Sequence, residues 1–171
     1  MTFIGGELLS QESEHALKCE IAAETLRSCG RLRLRLTGHS MLPAIWPGDT
    51  VEVEQRSFAA IVPGDVVLYC RQRRLFAHRV LCIIDSKENT RLTVQGDALP
   101  EPDAPVFPVE VLGCVAGIVR SDQSIHPLAI PTLPTWCVAR ILRHSASFSR
   151  LLVHLRTNRS NSAEREDFCQ L

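Results

Sequence analysis

From Arg31 onward the chain alternates. In Arg31-Leu32-Arg33-Leu34-Arg35-Leu36 the leucines and arginines take turns, which puts leucines on one face of an extended strand and arginines on the other. Thr50-Val51-Glu52-Val53-Glu54 repeats that period, and Val66 to Cys70 is an unbroken apolar run of the kind a strand covered on both faces shows. Leu75 to Ile84 predicts a further strand, joined to its predecessor by the polar turn Arg71-Gln72-Arg73-Arg74. Arg91 to Val94 and Val111 to Val119 complete the series. Gly48-Asp49, Pro63-Gly64-Asp65 and Gly96-Asp97 punctuate these strands, and the first two are expected to be ordinary turns.

The two ends differ in period. Ser10 to Cys29 predicts a helix with Glu12 and Glu14 in its first turn, an apolar stripe of Leu17, Ile21, Thr25 and Leu26, and Gly30 as its stop. Trp136 to Leu155 predicts a second helix. Val138, Ile141, Leu142, Ser145, Phe148, Leu152 and Leu155 line one face, and Arg140, His144 and Arg150 fall mainly on the other. The polar tail from Thr157 predicts disorder. The expected fold class is therefore mostly β, with an N-terminal helix and a C-terminal amphipathic helix. Three parts follow: a helical extension over 1–30, a β domain over 31–122, and a basic extension over 123–171.

Composition narrows the classes. The 171 residues carry a formal net charge of +0, so no global field draws in nucleic acid, and no nucleic-acid partner is expected. The charge is uneven: no acidic residue stands between Asp122 and Glu164, where Arg140, Arg143, Arg150, Arg156 and Arg159 fall. Seven cysteines with no CxxC pair suggest reduced thiols rather than a disulfide framework, and no ligand cluster suggests a metal. Neither a signal peptide nor an apolar run long enough for a transmembrane helix is present. The expected location is cytoplasmic or peripherally membrane-associated, with helix 136–155 as the lipid contact.

The chemistry sits in Gly38-His39-Ser40-Met41-Leu42-Pro43. A serine hydroxyl needs a base to accept its proton, and His78 in Phe76-Ala77-His78-Arg79-Val80 is the candidate. The base needs a carboxylate to hold its tautomer, and Asp97 and Asp103 both follow. The amide of Ser40, with a group near Gly38, would hold an oxyanion, and Gly38 would let a substrate strand approach closely. Each piece alone is weak: Gly-x-Ser is common in turns, and a strand histidine is often a satisfied core residue. His39 reads as a bystander, and His15, His126, His144 and His154 stand outside the set.

As an ordered set these boxes resemble the signal peptidase I and LexA-like serine peptidases. The likeness runs over Gly38 to Pro43, Gly48-Asp49-Thr50-Val51, Pro63-Gly64-Asp65-Val66-Val67, His78-Arg79-Val80, and Gly96-Asp97 with Asp103, spanning about 32–119. It implies a catalytic domain of coiled β-sheets and a serine endopeptidase that needs no cofactor or metal. The substrate would be an extended or signal-peptide-like segment with small residues before the cut bond. Ser40 matches the nucleophile. His78 stands where bacterial members commonly carry lysine, as in the histidine-base branch, whose triad an aspartate completes: Asp103 or Asp97. Met41 and Pro43 would shape the turn after the nucleophile. No transmembrane anchor is expected, which departs from the family, so a membrane-anchored partner is a further expectation. Two alternatives stand beside the peptidase. One is a non-catalytic peptide-binding module of the same fold. The other is a self-cleaving regulator, for which Cys29-Gly30 is the candidate bond.

Overall fold

The computed structural model describes residues 4–85, 89–120 and 123–125; the expected helix 136–155 and the polar tail lie outside these. The architecture is mostly β: one helix, α1 (Ile4–Cys29), precedes a single antiparallel sheet. Its strands are β1 (Arg31–Arg35), β2 (Thr50–Glu54), β3 (Val66–Arg71), β4 (Arg74–Ile84), β5 (Arg91–Gln95), β6 (Val111–Arg120) and β7 (Gln123–Ile125). The order across the sheet is β1-β2-β6-β3-β4-β5, and β7 folds back on the last residues of β6. The sheet therefore continues beyond residue 122, where the alternation of the sequence had ended.

The alternation of β1 does what its period requires. Leu32, Leu34 and Leu36 pack against a core of Leu26, Met41, Ile45, Val51, Val53, Val66 and Leu68 on the α1 side of the sheet, while the arginines face outward. The apolar run of β3 is divided between two layers. Val66 and Leu68 join that core, whereas Val67 and Tyr69 join a second one with Ile61, Val80, Leu92, Val94 and Val106 on the other face. Each fully buried side chain of this kind contributes on the order of 1.5–3 kcal/mol.

Helix α1 begins at Ile4 rather than Ser10, and of the predicted stripe it buries Leu26 but leaves Leu17 and Ile21 exposed. Leu17 and Ile21 are 55% and 54% exposed, whereas Ala22 is 3% and Leu26 2% exposed. Cys19, Ala22 and Leu26 recur at helical spacing and form the inward stripe. Gly30 ends the helix at φ 72°, its N–H bonded to the Leu26 carbonyl at 2.9 Å.

The β3–β4 hairpin positions the site. Arg71 pairs with Arg74 across the two-residue turn Gln72-Arg73, whose φ values are 50° and 60°. With that closing pair hydrogen-bonded, antiparallel parity turns the N–H and C=O of Leu75 and Ala77 away from β3. β5 pairs with β4 only from Arg79 onward, so among the described strands the edge of β4 at Leu75–His78 is left open.

Candidate active site

Ser40 begins a tight turn that follows β1. The Leu42 N–H bonds to the His39 carbonyl and the Ile45 N–H to the Met41 carbonyl. Met41 and Leu42 are buried, which anchors the turn in the core, and the Leu42–Pro43 peptide is cis. Asp49 closes the loop: it accepts the Trp46 N–H at 2.8 Å and forms an ion pair with Arg120 of β6. Gly48-Asp49 is thus more than the ordinary turn expected of it. From the other side, the Ala98 N–H donates to the Ser40 carbonyl at 2.8 Å. Gly96 makes that approach possible, because a Cβ there would stand 2.8 Å from the Ser40 oxygen.

His78 lies on β4, almost wholly buried, with Nε2 3.0 Å from Ser40 Oγ. Its Nδ1 is hydrogen-bonded to Asp103 Oδ2. An ionised carboxylate can only accept, so Nδ1 carries the hydrogen and Nε2 is left with the lone pair facing the serine. Tyr69 adds a contact that the sequence did not reveal. Its hydroxyl donates to Asp103 Oδ2 at 3.1 Å, while its 3.4 Å approach to Nδ1 is toward a nitrogen already donating. Burial, and then the neighbouring Asp103 carboxylate, push the Tyr69 hydroxyl far above its ordinary range, so it stays a donor.

The two candidate aspartates part company. Asp97 is buried against Arg79, with Oδ1 2.8 Å from Nε and Oδ2 2.7 Å from Nη2. Asp103 reaches the histidine because its loop is tied down. The Asp103 N–H bonds to the Val94 carbonyl, and Leu92 and Val106 exchange two backbone bonds. Arg71 donates to the carbonyls of Ala104 and Pro105 and grips Glu110 through both carboxylate oxygens at 2.7 and 2.9 Å. That hydrogen-bonded guanidinium holds the Glu110 carboxyl below its ordinary value, against a smaller opposing effect of burial. In sequence Arg71 was only part of a polar turn; here it fixes the loop that delivers the carboxylate.

A cleft of about 470 Å³ opens beside Ser40. Leu34 to Met41 form one wall and Leu75 to His78, the open edge of β4, form another; His15 and Lys18 of α1 close it. Gly38 lies in the first wall with open space where a side chain would stand. Met41 lines the cleft and the core at once, and Pro43 is half-buried behind the turn. Among the described residues no three His, Cys, Asp or Glu side chains gather to hold a metal, and no helix is long and apolar enough to cross a membrane. The described arrangement can take a proton from a hydroxyl at the end of an open, partly apolar groove. No family model and no curated protein matches the chain, so the chemistry of the site rests on its geometry.

Proposed function

We propose that the chain is a serine endopeptidase of the signal-peptidase-like type, its sheet a version of that family's coiled-sheet catalytic domain. One observation carries the proposal: Ser40, His78 and Asp103 form an unbroken chain of contacts at the mouth of a cleft, with the histidine tautomer set for general-base work. Ser40 Oγ attacks a peptide carbonyl while His78 Nε2 takes its proton. The imidazolium that forms is held by Asp103, itself pinned by Tyr69. The Ser40 amide, with the Gly38 segment, faces the oxyanion. His78 then returns the proton to the leaving amine, and water releases the acyl group by the same route in reverse.

The open edge of β4 supports an extended substrate. Leu75 and Ala77 offer their backbone N–H and C=O groups to a peptide lying along the cleft as an added strand. The Cys29-Gly30 bond of the self-cleaving alternative sits at the end of α1, where the Gly30 N–H and C=O bond to Leu26 and Gln55. No observation favours that alternative or the non-catalytic one over the peptidase.

The test is turnover of a peptide library by wild type and Ser40→Ala, read by mass spectrometry with and without anionic vesicles, which also covers the proposed lipid contact of 136–155. Wild-type cleavage should fall by at least about 10³-fold in the variant. Equal cleavage by both proteins, or none by either, would sink the proposal.

A further inference from the structure

Every titratable residue lining the cleft is basic. His15 and Lys18 come from α1, Arg35 from the end of β1, and His39 and His78 from either side of the nucleophile; no Asp or Glu is among them. Charge counting alone is weak, since exposed cations are usually paired. Lys18, for one, shares its ammonium with Glu14 at 2.6 Å.

Arg35 is different, and the strand register says why. The three arginines of β1 face β2 in order. Arg31 stands opposite Glu54 and Arg33 opposite Glu52, and each pairs with that carboxylate, at 3.8 and 2.6 Å. Arg35 stands opposite Thr50, which has no charge to offer. The carboxylate next along the chain, Asp49, is turned inward to Arg120 and the Trp46 N–H. Among the described residues Arg35 makes no ion pair. Its guanidinium lies over Gly48, where a Cβ would stand 3.6 Å from Nη2. The arginine that lines the cleft is therefore the one of the three that the register leaves without a partner.

We infer that the cleft selects peptides bearing a carboxylate near the bond it acts on, an Asp or Glu side chain held by Arg35 with Lys18 as a secondary attraction. This rests on the peptidase proposal and names its substrate class. A planar guanidinium suits a carboxylate through two parallel hydrogen bonds. A peptide filling the groove would exclude part of the water that screens an exposed pair.

The experiment separates this inference from the chemistry by measuring binding to Ser40→Ala. Fluorescent, C-terminally amidated, alanine-rich peptides carry one Glu at each position in turn, with Gln twins, and binding is read by anisotropy. One or two positions should bind Glu roughly three- to tenfold more tightly than Gln. A free-acid arm tells whether a terminal carboxylate serves as well. The preference should shrink as salt is raised, disappear in Arg35→Gln, and turn toward Lys peptides in Arg35→Glu. Equal binding of the Glu and Gln twins at every position overturns the inference, as does a preference unchanged in both Arg35 variants. Failure of all peptides to bind overturns it together with the peptidase proposal. Selective binding without wild-type turnover sinks the peptidase proposal alone. Turnover of neutral and acidic peptides alike sinks the acidic preference alone.

Discussion

Replacing Gly96 with alanine puts a methyl group where the main chain of the proposed nucleophile stands. The new Cβ would lie 2.8 Å from the Ser40 carbonyl oxygen and 3.0 Å from Leu99 Cγ and Cδ1. Carbon–oxygen contacts settle near ~3.3 Å or beyond, so something must give by about 0.5 Å. Leu99 can rotate, but the carbonyl cannot retreat alone. It accepts the Ala98 N–H at 2.8 Å, two residues along the same turn, and its movement carries Ser40 with it. Ser40 Oγ is 3.0 Å from His78 Nε2, so a displacement of that size loosens the proton path. A misplacement of about 1 Å can cost ~10²-fold; half of that predicts roughly a tenfold fall in kcat. The overpacking itself should cost about 1–3 kcal/mol of stability. Gly38→Ala is the control from the same motif. Nothing lies within 4 Å of its Cβ, so stability should change by less than about 0.5 kcal/mol. Gly38 lines the cleft, so a methyl group added there should raise KM. Both variants are assayed for kcat and KM on the best library peptide and for urea unfolding. Wild-type kcat in a fully stable Gly96→Ala protein would refute the claim that this turn sets the serine, and so would equal destabilisation by the two substitutions.

Four further outcomes are expected. Asp97→Asn removes the carboxylate that balances the buried Arg79 charge and should cost about 3–5 kcal/mol. Asp103→Asn should leave urea unfolding nearly unchanged while kcat falls about 10³- to 10⁴-fold, and the reverse pattern would exchange the roles of the two residues. Tyr69→Phe keeps the ring stacked 5.4 Å from Phe76 but removes a donor to a carboxylate, a bond worth ~1.5–3 kcal/mol. Its kcat should drop about tenfold or more at constant KM; an unchanged kcat would make the hydroxyl merely structural. The Arg71–Glu110 pair is charge-assisted and bidentate, so Glu110→Gln should cost about 1–2 kcal/mol at neutral pH. Glu110 titrates below its ordinary 4.5 in the folded protein. The stabilisation is therefore present above that ordinary value and lost as pH falls through the lower folded one. Urea midpoints of wild type and variant should converge in acid, and a constant gap across that range would deny the pair its electrostatic part.

Local pattern settled a good deal. The period-2 stretches at Arg31–Leu36 and Thr50–Glu54, the apolar run at Val66–Cys70 and the boundary at Gly30 follow from side-chain alternation and backbone freedom, both properties of a few consecutive residues. The same local chemistry made Ser40 and His78 candidates, and the fold brings their side chains into hydrogen-bond contact. β7 escaped because three residues carry too little pattern to count. On α1 the pattern found the buried Leu26 but missed Cys19 and Ala22, because hydrophobicity favours Leu17 and Ile21 over smaller side chains.

Tertiary structure decided what depends on residues far apart in the chain. Asp97 and Asp103 lie six positions apart in one turn-rich segment, and nothing local separates them. The β4–β5 register puts Asp97 beside Arg79, and the Arg71–Glu110 clamp turns Asp103 to His78. The same holds for the Tyr69 hydroxyl at Asp103, for the need of Gly96 to lack a side chain, and for Arg35 facing Thr50 instead of a glutamate. Sequence pattern determines which face of an element is apolar over a few residues; pairing register and loop anchoring, fixed only when the sheet closes, determine which charge meets which.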